Sequence, residues 1–167
     1  MILVTVGTNE ASFDRLILAL ELIPPGEEVV AQCGSSAHRP ARAVCFDFIP
    51  FEELASLIRR ARVVVTHAGA GSTIVALSNG KRPIVVPRLR RYGEAVDDHQ
   101  LHFARRLADQ GLVTLSEDPA TLPQTIAGVE KHTLDGSIAP DERLVDELRL
   151  MITGTLGPVR EGNDGTK

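Results

Sequence analysis

The residues best suited to chemistry form one glycine-rich stretch, His67-Ala68-Gly69-Ala70-Gly71-Ser72-Thr73, called the glycine-rich turn below. It directly follows an apolar run, and its Ser and Thr open a predicted helix. Two glycines and a helix start place several backbone N–H groups around one point, with hydroxyls beside them and no acid nearby, which is what a diphosphate requires. A tight turn that only packs a helix on a strand is the alternative, and the position after a strand favours phosphate binding.

A second turn with the same potential is Gly7-Thr8-Asn9, which follows the first apolar run of the chain. Gly7 lets the backbone turn sharply, and the helix that follows would point its unpaired N–H groups outward. Taken alone, a plain strand-to-helix turn is the favoured interpretation. Taken with the glycine-rich turn, Gly7 and Thr8 become candidates for the same diphosphate site.

Basic side chains are concentrated in a third stretch, in a chain that is otherwise acidic. They are Lys81, Arg82, Arg88, Arg90 and Arg91. A solvated basic loop is one interpretation of this cluster. The other is that Arg88, just past the end of a predicted strand, faces a diphosphate or an anionic lipid carrier.

Polar side chains follow the basic cluster and suit the hydroxyl groups of a sugar beside a diphosphate. They are Glu94, Asp98, His99 and Gln100. Asp97 and Gln100 have the three-residue spacing of a helix capping box, which is an alternative explanation for part of this run. Glu94, Asp98 and His99 exceed what a cap needs, so the sugar-binding interpretation also stands.

The elements that must position these three segments alternate regularly along the chain. Strands are predicted at residues 1–6, 29–31, 44–46, 63–65, 83–86 and 112–115, and helices at 13–20, 51–61, 72–79, 97–110, 119–129 and 141–151. This alternation predicts an α/β fold, a Rossmann-like parallel sheet of about six strands with helices on both faces. Ligands bind outside the carboxyl ends of such strands, and all three segments lie there.

Length and composition indicate one ordinary globular domain, residues 1–153, followed by a tail at 154–167 that we expect to be disordered. A net charge of −4 and only 4% aromatic residues argue against nucleic acid as a partner. Cys33 and Cys45 lie in apolar strand-like runs, which indicates buried thiols in a reducing compartment. The chain opens directly with a strand and has no apolar run near the ~20 residues of a membrane span, so we expect a cytoplasmic protein without a signal peptide.

The three segments together resemble glycosyltransferase family 28, the inverting transferases related to the carboxyl-terminal half of the peptidoglycan N-acetylglucosaminyltransferase. The resemblance rests on Val4-Thr5-Val6-Gly7-Thr8 with Phe13-Asp14-Arg15-Leu16, on the glycine-rich turn and on residues 87–100, and it covers about residues 1–129. Small single-domain members are similar, among them the subunit of the eukaryotic two-subunit dolichol-linked UDP-N-acetylglucosamine transferase. The run from Pro87 to Gln100 is especially similar to donor-binding subunits of bacterial exopolysaccharide transferases.

The resemblance implies the C-terminal half of a GT-B glycosyltransferase that binds a UDP-sugar. It implies a nucleotide and diphosphate site formed by Gly7, Thr8, His67, Gly69, Ala70, Gly71, Ser72, Thr73 and Arg88. It implies a donor-sugar site formed by Glu94, Asp98, His99 and Gln100. Asp98 and His99 are the candidate catalytic residues. Many relatives hold the ribose with a glutamate three residues after the serine of the turn, and this chain has Val75 there.

The implied reaction is direct displacement at the anomeric carbon, with transfer to a lipid-linked acceptor in exopolysaccharide synthesis. No Asp-x-Asp triplet appears in the sequence, so no essential metal or other cofactor is expected. The resemblance further implies a membrane-attached, acceptor-binding partner that brings this chain to the inner face of the membrane. An apolar stripe in the last predicted helix either packs on its own domain or docks that partner: Leu144, Val145, Leu148, Met151 and Ile152.

Two other functions compete with this one. The first is a non-enzymatic subunit that binds nucleotide and only enhances a partner glycosyltransferase. The second, a dinucleotide oxidoreductase, is disfavoured because Cys33-Gly34 follows the second strand where an acid for the adenosine ribose would be expected.

Overall fold

Six strands form a single parallel sheet in a computed structural model that describes residues 1–129. They are β1 (Ile2–Thr5), β2 (Val29–Gln32), β3 (Ala43–Phe46), β4 (Val63–His67), β5 (Ile84–Val86) and β6 (Thr114–Leu115). Their order across the sheet is β3-β2-β1-β4-β5-β6, and every neighbouring pair is parallel. The predicted six-stranded parallel sheet is therefore confirmed.

Five helices connect the strands or follow the last one. They are α1 (Asp14–Ala19), α2 (Phe51–Arg60), α3 (Ala70–Ser78), α4 (His99–Asp109) and α5 (Leu122–Gly128), with short 3-10 turns at Leu20–Leu22, Arg90–Tyr92 and Pro119–Thr121. Each was predicted from the sequence, although α4 begins two residues later than expected. The helix predicted at residues 141–151, its apolar stripe and the tail at 154–167 lie outside the described residues.

The sheet is covered on both faces, which explains why its central strands are apolar at nearly every position. Ile2 and Val4 on β1 lie on the face that packs against α1 and α5, where Leu16 and Ile126 are also buried. Leu3, the residue between them, lies on the opposite face with residues of α2 and α3. Alternate residues of one strand therefore supply two cores, as period-two geometry requires.

The cysteines lie near the edge of the sheet that β3 forms. Cys33 is fully buried just after β2, and Cys45 on β3 is half-buried. Burial raises the pKa of the Cys33 thiol to about 12, so this thiol stays protonated at physiological pH. The sequence prediction of a buried thiol thus holds for Cys33 and only partly for Cys45.

The strand order reverses at β1 and β4, and this reversal creates the site. The chain runs outward from β1 to β2 and β3, and then returns to place β4 on the other side of β1. Thr5 and Thr66 are register partners at the carboxyl ends of these two strands. The connections after β1 and β4 leave in different directions, so a crevice opens between them, and parallel α/β sheets bind ligands at such switch points.

Candidate functional site

Gly7 and Gly69 enclose the ring of His67 at the carboxyl ends of β1 and β4. A Cβ atom added at Gly7 would lie 2.3 Å from Cε1 of His67, and one added at Gly69 would lie 2.1 Å from Nε2. Gly7 also has a φ of +74°, which residues with a side chain rarely adopt. The two turns that the sequence singled out separately are thus brought into contact through one histidine.

His67 is a neutral histidine at physiological pH. Only 9% of the residue is exposed, and this burial, together with the nearby charge of Arg88, lowers the pKa of His67 to about 4. The Thr66 hydroxyl donates a 3.0 Å hydrogen bond to the His67 carbonyl and lies 3.5 Å from Nδ1. An uncharged ring at the cleft can donate one hydrogen bond and accept another.

Helix α3 presents its amino-terminal N–H groups at the same place. Gly69 is the N-cap residue, no side chain among the described residues caps the helix, and the first N–H bond within the helix runs from Thr73 to the Gly69 carbonyl, 3.1 Å long. The N–H groups of Ala70, Gly71 and Ser72 therefore precede the helical ladder, where anions bind. Thr73 is buried and its hydroxyl bonds back to the Gly69 carbonyl, so this hydroxyl stabilises the helix start.

A cleft of about 390 Å³ opens over these groups. Its walls include five residues of the predicted site: Gly7, Thr8, His67, Gly71 and Ser72. They also include five residues that sequence reasoning missed: Thr5, Gln32, Ile49, Phe51 and Leu54. A side chain at Gly71 would meet no atom within 4 Å, so the space above this residue is open.

The missed residues divide into a polar pair and an apolar group. The Thr5 hydroxyl donates a 2.7 Å hydrogen bond to Oε1 of Gln32, and both residues are buried at the carboxyl ends of apolar strands. Polar residues at that place in otherwise apolar runs were the available signal. Ile49 and Phe51 come from the loop before α2 and from its start, and in sequence they resemble ordinary core residues.

Arg88 lies behind the cleft wall instead of facing a ligand directly. The residue is 1% exposed, Nη1 donates to the carbonyls of Ala11 (2.9 Å) and Ser12 (3.0 Å), and Nη2 donates to the carbonyl of Val6 (3.2 Å). Its guanidinium also lies 4.6 Å from the ring centre of Phe13. The sequence correctly predicted that Arg88 follows a strand, β5. The backbone carbonyls of the loop between β1 and α1 accept its hydrogen bonds and turn the side chain inward.

Glu94 and Gln100 are also buried, and both hold the segment after β5. The Glu94 carboxylate accepts hydrogen bonds from Nε and Nη2 of Arg15, each 2.9 Å, and from the Leu89 N–H at 3.0 Å. The Gln100 side-chain oxygen accepts from the Arg88 N–H at 3.2 Å. Because Gln100 bonds to this distant N–H, it does not form the capping box that its spacing from Asp97 suggested.

The two catalytic candidates lie exposed at the start of α4. Asp98 is the N-cap residue, and its carboxylate accepts a 2.9 Å hydrogen bond from the Arg90 N–H. His99 Nδ1 pairs with the Asp97 carboxylate, and this contact holds the pKa of Asp97 below its usual range. The partner of His99 is therefore Asp97, and neither Asp98 nor His99 lines the cleft.

Residues 1–129 contain no helix that is both long and apolar enough to cross a membrane. In the same part of the chain, His, Cys, Asp and Glu side chains form no group of three that could hold a metal ion. A diphosphate can itself bind a cation, so the expected independence from metal stays a prediction.

Comparisons with known proteins agree with this geometry. The family model described as "Glycosyltransferase family 28 C-terminal domain" matches residues 1–143. The chain is 36% identical over 67 residues to the UDP-N-acetylglucosamine transferase subunit ALG13 of Yarrowia lipolytica, covering 40% of this chain and 32% of the relative. It is 32% identical over 129 residues to the UDP-N-acetylglucosamine--N-acetylmuramyl-(pentapeptide) pyrophosphoryl-undecaprenol N-acetylglucosamine transferase of Verminephrobacter eiseniae, covering 70% of this chain and 35% of the relative. The chain thus spans about a third of the length of these curated relatives.

A solved structure with a similar fold is that of CalG4, described as the calicheamicin glycosyltransferase. The superposition has a TM-score of 0.59 at 18% identity and covers 94% of this chain and 44% of that one. At this identity the likeness concerns the fold alone. It confirms the expected equivalence to one half of a GT-B transferase, and the family model identifies that half as the C-terminal one.

Proposed function

Because the chain belongs to the family of the glycosyltransferase family 28 C-terminal domain, we propose that it is the donor-binding lobe of an inverting glycosyltransferase. The donor would be a UDP-sugar. The observation that carries this proposal is the cleft between β1 and β4, where the start of α3 and the neutral ring of His67 lie beside Gly7. All these groups suit a diphosphate.

The diphosphate would lie against the N–H groups of Ala70, Gly71 and Ser72. These groups point out of the helix start, and the helix dipole adds a positive potential there. His67 would donate a hydrogen bond to a phosphate oxygen, and the hydroxyls of Thr8 and Ser72 would add further donors. No carboxylate lines the described cleft, so nothing there repels an anion.

The nucleoside would occupy the part of the cleft nearer α2. Ile49, Phe51 and Leu54 provide an apolar wall for the base, and Thr5 and Gln32 provide polar atoms at its floor. The residue at the family's ribose position, Val75, packs with the core between the sheet and α2 and α3. We propose that the ribose hydroxyls are held by the polar residues of the cleft instead.

The reaction would be a single displacement. The acceptor oxygen bonds to the anomeric carbon, the bond from that carbon to the β-phosphate oxygen breaks, and UDP leaves with the electron pair while a base takes the acceptor proton. The N–H groups of α3 would stabilise the charge that grows on UDP. His99, oriented by Asp97, and Asp98 are the candidate bases in this chain, and the partner could supply the base instead.

The donor sugar would extend from the diphosphate towards the segment after β5. Asp98 and His99 lie exposed there, and the buried side chains of Glu94 and Gln100 hold the segment by hydrogen bonds to its backbone. We propose that the acceptor is lipid-linked, that a membrane-attached subunit binds it, and that the product is an exopolysaccharide. The similarity to a protein named as a transferase subunit supports the partner, which would hold this chain at the inner face of the membrane.

Nucleotide titration tests the proposal. Backbone NMR of the chain is recorded while uridine, UDP, UDP-glucose and UDP-N-acetylglucosamine are added in turn. We expect the amide signals of Gly7, Thr8, Gly71 and Ser72 to shift with UDP and with one of the UDP-sugars. GDP serves as the control for the base. Shifts located elsewhere, or none with any uridine nucleotide, would contradict the proposal.

A further inference from the structure

The cleft that suits a diphosphate has walls without a formal positive charge. Among the described residues that line it, the polar ones are Thr5, Thr8, Gln32, His67 and Ser72, and no lysine or arginine is present. His67 is neutral, because burial lowers its pKa to about 4. The diphosphate of a nucleotide sugar carries about two negative charges, and their desolvation must be compensated by the site.

A buried cation lies directly behind one wall. Arg88 reaches the carbonyl of Val6, the residue before Gly7, and the carbonyls of Ala11 and Ser12 at the other end of the same loop. Between these contacts lie Gly7 and Thr8, which line the cleft. The guanidinium therefore bonds to the backbone of the same loop whose Gly7 and Thr8 line the cleft.

No carboxylate among the described residues forms an ion pair with this guanidinium, and burial lowers the pKa of Arg88 although the charge of Glu94 opposes this change. Glu94 is the acid nearby, but its carboxylate is occupied by Arg15 and by the Leu89 N–H, and the contact of Glu94 with Arg88 is a 3.5 Å bond through its backbone carbonyl. The acceptors of Arg88 are neutral carbonyls, and its Nε has no acceptor among the described residues. Burying a cation in this way is costly, and a bound anion would recover part of that cost.

We propose that Arg88 supplies the positive charge of the diphosphate site from behind the loop, without contacting the ligand. Its bonds to Val6, Ala11 and Ser12 hold the loop in the shape that lines the cleft. This inference rests on the proposed function of the cleft. Arg88 is thus a positioning residue whose charge acts through the loop, and its burial reduces the screening of that charge.

The charge of Arg88 matters more during the reaction than before it. UDP gains one negative charge as it leaves the anomeric carbon, and a fixed cation nearby stabilises that charge without having to reorganise. Burial is the main cause of the low pKa of His67, and the charge of Arg88 lowers this pKa further, because a cation close to an imidazole disfavours its protonated form. Removing the charge of Arg88 should therefore change both ligand affinity and the titration of His67.

Two substitutions separate the charge from the hydrogen bonds. Arg88→Met keeps a long side chain and removes both the charge and the hydrogen bonds to the loop, whereas Arg88→Lys keeps the charge and loses part of those hydrogen bonds. Arg62→Met is the control. Arg62 directly precedes β4 and so lies at the amino ends of the strands, away from the cleft, where it pairs with Glu27. Each protein is titrated with uridine, UMP and UDP at low and high salt.

A charge effect must grow with the charge of the ligand. In Arg88→Met we expect the affinity for UDP to fall about tenfold more than the affinity for uridine, with UMP in between. Arg88→Lys should keep the ratio of UDP to uridine affinity near that of the wild type, even if both affinities fall. Equal losses of uridine and UDP in Arg88→Met would overturn the proposal, because they would show only a misshapen loop.

Histidine NMR provides a readout that does not depend on any ligand. The pKa of His67 should rise in Arg88→Met and stay low in Arg88→Lys, and an unchanged value in Arg88→Met would overturn the proposal. If Arg88→Met does not fold, Arg88→Lys tests the proposal alone. A lower ratio of UDP affinity to uridine affinity in Arg88→Lys than in the wild type would contradict a role for the charge. A wild-type chain that binds none of the three ligands would refute the proposed function itself, which is a different result.

Discussion

Arg15 and Glu94 form a partly buried two-point ion pair that joins α1 to the segment after β5, with Nε and Nη2 each 2.9 Å from a carboxylate oxygen. Glu94 also accepts the Leu89 N–H, and Arg15 donates to the Pro87 carbonyl at 2.8 Å. This pair fixes the segment that is expected to face the donor sugar. Measuring how much this ion pair contributes to the free energy of unfolding therefore distinguishes a structural role of Glu94 from direct sugar binding.

Glu94→Ala should lower the free energy of unfolding by about 2 to 3 kcal/mol, because it leaves the Leu89 N–H without its acceptor and the partly buried Arg15 guanidinium without its carboxylate. Urea denaturation measures this loss. Asp47→Ala is the control, because Asp47 pairs with Arg39 at an exposed position and such pairs contribute less than about 1 kcal/mol. A loss as small as that of the control, with weakened UDP-sugar binding, would instead indicate that Glu94 contacts the sugar.

Gly71→Val should abolish nucleotide binding and leave the fold intact. The space above Gly71 is open, so valine fits the protein but occupies the place where a phosphate would approach the helix start. Calorimetric titration with UDP and circular dichroism measure the two effects. Ser78→Val, at the far end of α3, controls for the lower helix propensity of valine. Unchanged UDP affinity in folded Gly71→Val would remove the diphosphate from this turn.

Gln100→Ala should weaken UDP-sugar binding more than UDP binding. The side-chain oxygen of Gln100 is engaged by the Arg88 N–H, which leaves its amide nitrogen as the group that could meet a sugar hydroxyl. Titration of UDP and UDP-sugars into Gln100→Ala and into the exposed control Gln110→Ala compares the two. Equal losses for both ligands would show that Gln100 acts only by holding Arg88.

The free energy of unfolding should depend on pH because of His67. Its pKa is about 4 in the folded protein and about 6.5 in the unfolded chain, so below pH 6.5 the unfolded chain takes up a proton that the folded protein does not. Stability should therefore fall by about 2 kcal/mol between pH 7 and pH 5. Urea denaturation at both pH values checks this. His67→Gln should lose this pH dependence and the exposed control His102→Gln should keep it; the reverse would refute the assignment.

His99→Ala should abolish sugar transfer by the complex of this chain with the proposed acceptor-binding partner, because His99, oriented by Asp97, is a candidate base. UDP affinity should stay within about threefold of the wild type, because His99 is exposed at the start of α4 and does not line the nucleotide cleft. Transfer to a lipid-linked acceptor is assayed with the purified complex, with the exposed His38→Ala as control. Full transfer by His99→Ala would leave Asp98 or a residue of the partner as the base.

The sequence predicted the elements of the fold because they follow from local patterns. Apolar runs that alternate with helically spaced segments identified all six strands. Glycines soon after two of these runs identified the two turns that meet at His67. The family expected from these motifs is also confirmed. These inferences needed only neighbours in the chain, and the right-handed alternation of strand and helix supplied the rest.

The direction of long side chains was not predictable in the same way. Arg88 follows β5 at the expected edge, but the carbonyls that turn it inward belong to a loop near the start of the chain. Phe51 looks like a core residue in sequence, but it is exposed at the start of α2 and lines the cleft. Both facts depend on contacts between distant segments, which spacing does not encode.

The close fit of Gly7 and Gly69 around His67 makes the three positions depend on one another in evolution and in engineering. Gly69→Ala alone would collide with the ring, whereas the same change with His67→Ala removes the obstacle, so the two substitutions should compensate. Gly7→Ala would not be rescued in this way, since its positive φ remains. A library that varies one position at a time would therefore find Gly7 and Gly69 equally intolerant, and only their combination with His67→Ala would reveal which constraint is steric and which belongs to the backbone.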